Sequence, residues 1–103
     1  MKYAFHPEAR LEYREAAVFY EGRRDGLGAS FTREIETTIA RILEAPDRGR
    51  FIEQDVQRCW AHVFPYGILY TVEPDLVLIV AVAHASRKPG YWQERISRGT
   101  AGA

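Results

Sequence analysis

Cysteine is almost absent. Cys59 is the only one in 103 residues, so the chain can close no disulfide on itself and build no multi-cysteine zinc site. The longest purely apolar run, Leu76 to Ala83, is far short of the roughly 20 residues that a membrane-spanning helix needs. The first residues, Met1-Lys2-Tyr3-Ala4-Phe5-His6-Pro7, lack the apolar core and small-residue cleavage site of a signal peptide. The expectation is a reduced, cytoplasmic protein without membrane association. Net charge is missing too, because 14 Lys+Arg balance 14 Asp+Glu, which argues against a general nucleic-acid coat. There is no phosphate loop, no nucleotide-binding glycine fingerprint and no His-Glu-x-x-His helix. His6, His62 and His84 have no metal-ligand spacing, so neither metal nor cofactor is expected.

Apolar residues make up 47% of the chain and aromatics 13%, ample for a core and incompatible with global disorder. The length fits one domain. We read it as residues 1–98, followed by a flexible tail over 99–103. The balanced charge is unevenly spread. Nine acidic and six basic residues lie between Glu8 and Asp47, whereas five acidic and seven basic ones follow from Arg48. Twelve of the fourteen cations are arginine. That preference suits bidentate contacts with phosphate or carboxylate, and equally reflects coding composition.

Lys2-Tyr3-Ala4-Phe5 reads as a short strand ending at His6-Pro7, with Pro7 placed to open a helix. Ala9, Tyr13, Ala16, Ala17 and Tyr20 then recur on one helical face. Asp25-Gly26-Leu27-Gly28 turns the chain into a second stripe, Phe31, Ile35, Thr38, Ile39 and Ile42, which stops before Pro46. So short a turn makes an antiparallel helical hairpin. After Pro46 the period changes to two. Val56 to Val63 alternates, Ile68 to Glu73 forms a second strand, and Leu76 to Ala83 a buried third one. The segment from Pro89 to Arg95 allows one helical turn. The result is an α+β domain of order β-α-α-β-β-β, its hairpin packed on one face of a mostly antiparallel sheet. Phe31, Ile35, Ile39 and Ile42 are expected against Leu78, Val80 and Val82, with the opposite sheet face partly open.

The C-terminal segment has chemistry to offer. His84, Ser86, Arg87, Lys88, Tyr91 and Trp92 follow directly on the most apolar strand. A titratable ring, two cations and two aromatics in nine residues can hold a phosphate and stack a base. They can equally form a loop whose Tyr91 and Trp92 cover the sheet edge, with Arg87 paired locally. Arg58 and Trp60 on a neighbouring strand can share a face with them, and an arginine over a tryptophan is equally an ordinary packing contact.

Three segments together carry a family resemblance. They are Phe5-His6-Pro7-Glu8-Ala9, Phe64-Pro65-Tyr66-Gly67-Ile68-Leu69-Tyr70, and Ile79-Val80-Ala81-Val82-Ala83-His84-Ala85-Ser86-Arg87-Lys88-Pro89-Gly90-Tyr91-Trp92. In this order, from Lys2 to about Arg95, the chain resembles the RelE/ParE toxin superfamily, especially its plasmid stabilisation proteins. The resemblance implies the toxin of a type II toxin–antitoxin pair, held inactive by a cognate antitoxin from an adjacent gene and touching DNA only through it. ParE-like members inhibit DNA gyrase by binding; RelE-like members cut mRNA on the ribosome without a metal. RelE-like members carry a basic residue where this chain has Tyr66-Gly67, and Gly67 supplies no charge. The ParE-like reading is therefore the first one. The alternatives are an mRNA endoribonuclease, or a degenerate member that keeps the fold and antitoxin binding without toxicity. In the ribonuclease reading His84 is acid or base, Arg87 holds the phosphate and Tyr91 stacks or transfers a proton. Arg58, Lys88 and Trp92 contact the substrate or target.

Overall fold

A computed structural model describes residues 1–96. The expected flexible tail over 99–103 lies outside the described residues. The chain runs β1 (Lys2–Phe5), α1 (Pro7–Arg23), α2 (Leu27–Glu44), a 3-10 turn (Pro46–Arg48), β2 (Arg50–Glu53), β3 (Val56–Trp60), β4 (Tyr66–Val72) and β5 (Leu76–His84). A last helical turn covers 93–96. The five strands lie in the order β1-β5-β4-β3-β2. β1 runs parallel to β5 and the other neighbours are antiparallel. This is the expected α+β architecture with one strand more.

Each helix starts and stops for a visible reason. His6 caps α1, its Nδ1 accepting from the Glu8 N–H at 3.1 Å, and Pro7 occupies the first turn. Between the helices Gly26 takes φ +87°, a conformation that glycine adopts without penalty. The Glu21 carboxylate accepts from the Gly26 N–H at 3.0 Å and the Gly28 N–H at 2.9 Å. These bonds satisfy donors at the start of α2 and hold the Glu21 carboxyl below its usual pKa. Gly28 also lets the helices touch, because a Cβ there would collide with the Ala17 carbonyl oxygen.

The hairpin buries Phe31, Ile35, Thr38, Ile39 and Ile42 of α2 and Ala9 and Ala16 of α1. Their strand partners are Ile68, Tyr70, Val77, Ile79 and Val82. Each large side chain so buried contributes about 1.5–3 kcal/mol. Val82 is where the period-two pattern places it, but Leu78 and Val80 are not: they belong to the opposite face. The cause is a bulge in β5. Leu69 pairs with Ala81 and the next residue, Tyr70, with Ile79, so Val80 is the extra residue. An inserted residue reverses the in–out alternation beyond it, which puts Ile79 and Val82 on the helix side and Val80 and Ala81 on the other.

The strands also differ from the alternation pattern, β4 beginning at Tyr66 rather than Ile68. β3 stops at Trp60 rather than Val63 because the Glu34 carboxylate of α2 takes the N–H groups of His62 and Val63, drawing the chain off the sheet. The fourth strand of the meander, β2, precedes the expected three. It is short and mostly exposed, so it carries no apolar alternation to reveal it. On the far face Val56, Leu69, Val80 and Ala81 form a second cluster closed by Trp92, with Ile52, Leu78, Ala83, Tyr91 and Ile96 around it. The C-terminal segment thus covers part of that face and leaves the rest open as a cleft.

Candidate functional site

The cleft has a volume of about 290 Å³ and is walled by β3, β5 and the segment after β5. It gathers the six residues given a site role from the sequence, Arg58, His84, Arg87, Lys88, Tyr91 and Trp92, together with Trp60. Their environments differ sharply.

Arg58 lies over Trp60, its guanidinium carbon 4.7 Å from the ring centroid. Beneath it is Gly67, which pairs with Trp60 in the ladder. A Cβ on Gly67 would sit 3.2 Å from Arg58 Cδ and 3.3 Å from the Trp60 ring. Glycine therefore makes room for the arginine stem to cross β4, and a cation lies over a position whose own side chain has none.

His84 ends β5 opposite Tyr66, with the two rings edge to face at 5.2 Å. Its Nδ1 accepts from the Ser86 N–H at 3.0 Å and lies 2.8 Å from Ser86 Oγ. A backbone N–H only donates, so Nδ1 holds the lone pair and the neutral ring carries its proton on Nε2. Tyr66 itself packs against Phe31 and Tyr20. Burial, then Tyr20, raises its pKa to about 12.

The remaining groups are organised by a residue that sequence reasoning did not single out. Glu12 of α1 reaches past the end of β1 to the open edge of β5. One carboxylate oxygen accepts from the Val82 N–H at 3.0 Å and Arg95 Nη1 at 2.9 Å; the other accepts from the Tyr91 hydroxyl at 2.6 Å and Arg95 Nη2 at 2.9 Å. Arg95 also donates to the Val80 carbonyl at the bulge, at 3.0 Å. The Glu12 and Arg95 side chains are only 13% and 8% exposed, so this is a buried, bidentate ion pair with every partner hydrogen-bonded. Desolvation lowers the Arg95 pKa, but the Glu12 hydrogen bonds and charge outweigh it and the net shift is upward. A signal for Glu12 does exist: it stands three residues after Ala9 and four before Ala16, within the apolar stripe of α1.

Arg87 completes the arrangement. Its guanidinium carbon lies 3.8 Å from the Tyr91 ring centroid and Nη1 is 4.0 Å from Glu12 Oε2, yet half the side chain remains exposed. Arg95 contacts the same ring at 5.0 Å. The Tyr91 ring thus has two guanidiniums beside it and its hydroxyl turned into Glu12. Burial first, then the bond to Glu12, raises its pKa strongly. Trp92 is 5% exposed and serves as a wall from within the core. Lys88 is exposed and has no ion pair among the described residues.

No three His, Cys, Asp or Glu residues are grouped to hold a metal among the described residues. His6 is a helix cap, and His62 lies outside the cleft, near α2. No helix among the described residues is long and apolar enough to cross a membrane.

A family model described as "ParE toxin of type II toxin-antitoxin system, parDE" matches residues 3–89. No curated protein matches the chain. The chain belongs to the ParE toxin family.

Proposed function

We propose that this ParE-family toxin acts by binding its target rather than by cutting it, with DNA gyrase as that target. Family membership makes the chain the toxin of a type II pair and implies an antitoxin partner. The observation that supports the binding reading is the placement of Tyr91. Metal-free RNA cleavage needs a base for the 2′-hydroxyl, an acid for the leaving oxygen and cations for the phosphorane. Here the Tyr91 hydroxyl is committed to Glu12 at 2.6 Å, and its raised pKa makes it a poor proton donor. His84 has one ring nitrogen engaged with Ser86. The cleft still presents Arg58, Arg87 and Lys88 beside the half-exposed ring of Trp60, a composition suited to macromolecular contact.

The ribonuclease reading has one observation in its favour. Arg58 crosses Gly67, so it supplies a cation where RelE-like members carry theirs on the strand itself. Induced expression separates the readings. The binding reading expects growth arrest with loss of DNA supercoiling or replication, and no discrete mRNA cuts. Cuts that vanish in Arg87→Ala or His84→Ala would establish the ribonuclease, and absence of any growth effect the degenerate member.

A further inference from the structure

A second cavity, of about 310 Å³, opens where β3 runs beyond the end of β2. Arg41, Arg48, Arg50, Arg58 and His62 line it, and none of its lining residues is acidic. Two of these arginines, Arg50 and Arg58, are directly opposite each other in the antiparallel β2–β3 ladder. Like charges in that position destabilise a sheet. Among the described residues none of the four arginines has an ion pair to offset it.

The backbone that carries Arg48 and Arg50 is firmly held, although their side chains are exposed. The loop carrying Arg48 and Arg50 is clamped by buried Gln57, whose Nε2 donates to the Pro46 and Gly49 carbonyls at 2.9 Å each. The Tyr70 hydroxyl donates to the Pro46 carbonyl at 2.7 Å. Arg41 is tied to the Trp60 carbonyl and Thr38 Oγ1, both at 3.3 Å, while its Nε is buried without a hydrogen-bond partner. A cluster of four arginines on a held backbone, in a chain of zero net charge, suits a discrete anion.

We propose that this pocket receives Asp or Glu side chains from an acidic segment of a protein partner. The surroundings favour a peptide over a nucleic acid. Asp47, Glu53 and Asp55 flank the arginines along the chain and interrupt any basic track that a phosphate backbone would follow. Trp60 forms part of the wall and is 44% exposed; Phe51, between Arg50 and the β2 bulge, is 59% exposed. Arginine with exposed aromatic surface is the composition of protein interfaces. The pocket shares Arg58 and Trp60 with the cleft but is otherwise lined by other residues, and the proposal does not rest on the gyrase reading.

Calorimetric titration of the whole protein at low salt tests it, using a terminally blocked hexaglutamate peptide, a hexathymidylate and inorganic phosphate as probes. Hexaglutamate should bind saturably and weaken with salt. The Arg48→Gln/Arg50→Gln double variant should bind it about tenfold more weakly. Arg50→Gln alone should melt no lower than the parent, because it removes a like-charge pair. Absent hexaglutamate binding, binding that ignores the double substitution, or a lower melting temperature for Arg50→Gln would overturn the proposal. Tighter binding of hexathymidylate or phosphate with the same dependence on the arginines would overturn it too, in favour of a nucleic-acid or free-anion site.

Discussion

Replacing Glu12 by alanine should cost the fold more than any other single surface-helix change. The carboxylate has four hydrogen bonds, to Val82 N–H, the Tyr91 hydroxyl and both Arg95 terminal nitrogens. Without it the Arg95 guanidinium, 8% exposed, stays charged in a site that desolvates it. Breaking a buried pair from one side costs about 3–5 kcal/mol, against a total stability of about 5–15 kcal/mol for a domain of this kind. The Arg87 contact adds little, since it is long and half-exposed. Each kcal/mol moves the melting temperature of a domain of this size by roughly 4–8 °C, so urea and thermal unfolding both resolve the effect. A double-mutant cycle with Arg95→Ala sharpens it. The double variant should lose less than the sum of the singles, because the second substitution removes the charge that the first strands. The recovery should be incomplete, because the Val82 N–H and the Val80 carbonyl still lack their partners. Strictly additive singles, or a Glu12→Ala variant within about 0.5 kcal/mol of the parent, the ordinary range of surface substitutions, would show that the pair does not hold the C-terminal segment to α1.

Three further outcomes are expected. Ile39→Ala, at a side chain 1% exposed between α2 and the sheet, should lose about 2–5 kcal/mol in urea unfolding. Gly49→Ala should destabilise by about 1–3 kcal/mol, since its Cβ would overlap the Tyr70 hydroxyl that anchors Pro46; a silent change would show that this clamp is loose. Stability should also fall on the alkaline side. Tyr66 titrates near its ordinary value of 10.0 when unfolded and at about 12 when folded. Between those values the unfolded chain has lost a proton that the folded one keeps, so unfolding becomes easier as pH rises. Urea midpoints measured across that window should decline less steeply in Tyr66→Phe than in the parent.

The helical hairpin was legible because its evidence is local. Pro7, the Gly26 turn and the Phe31–Ile35–Ile39–Ile42 stripe each specify their own element, and the structure uses them so. β5 was legible as a strand, but its facing was not. A bulge at Val80 is set by the pairing of Leu69 and Tyr70, which a single strand's pattern does not contain. β2 went unseen because an exposed edge strand needs no apolar alternation. The convergence of Arg58, His84, Arg87, Lys88, Tyr91 and Trp92 on one cleft follows from the adjacency of β3, β4 and β5 that the meander implies. Glu12 and Arg95 were missed because 83 residues separate them, and each alone reads as a solvated helix charge. Their pairing also changes the reading of Tyr91. In the sequence it is a candidate for stacking or proton transfer; in the structure its hydroxyl is spent on holding the C-terminal segment to α1.

A toxin that works by occupying DNA gyrase should be visible in a supercoiling reaction. Purified, antitoxin-free protein is added to DNA gyrase, ATP and relaxed plasmid, with Arg87→Ala in parallel and mRNA on translating ribosomes as the companion substrate. The parent should block supercoiling in proportion to its concentration, Arg87→Ala should block it less while unfolding at nearly the same urea concentration, and the mRNA should stay intact. Undisturbed supercoiling together with discrete cuts in the ribosome-bound mRNA would contradict the binding reading.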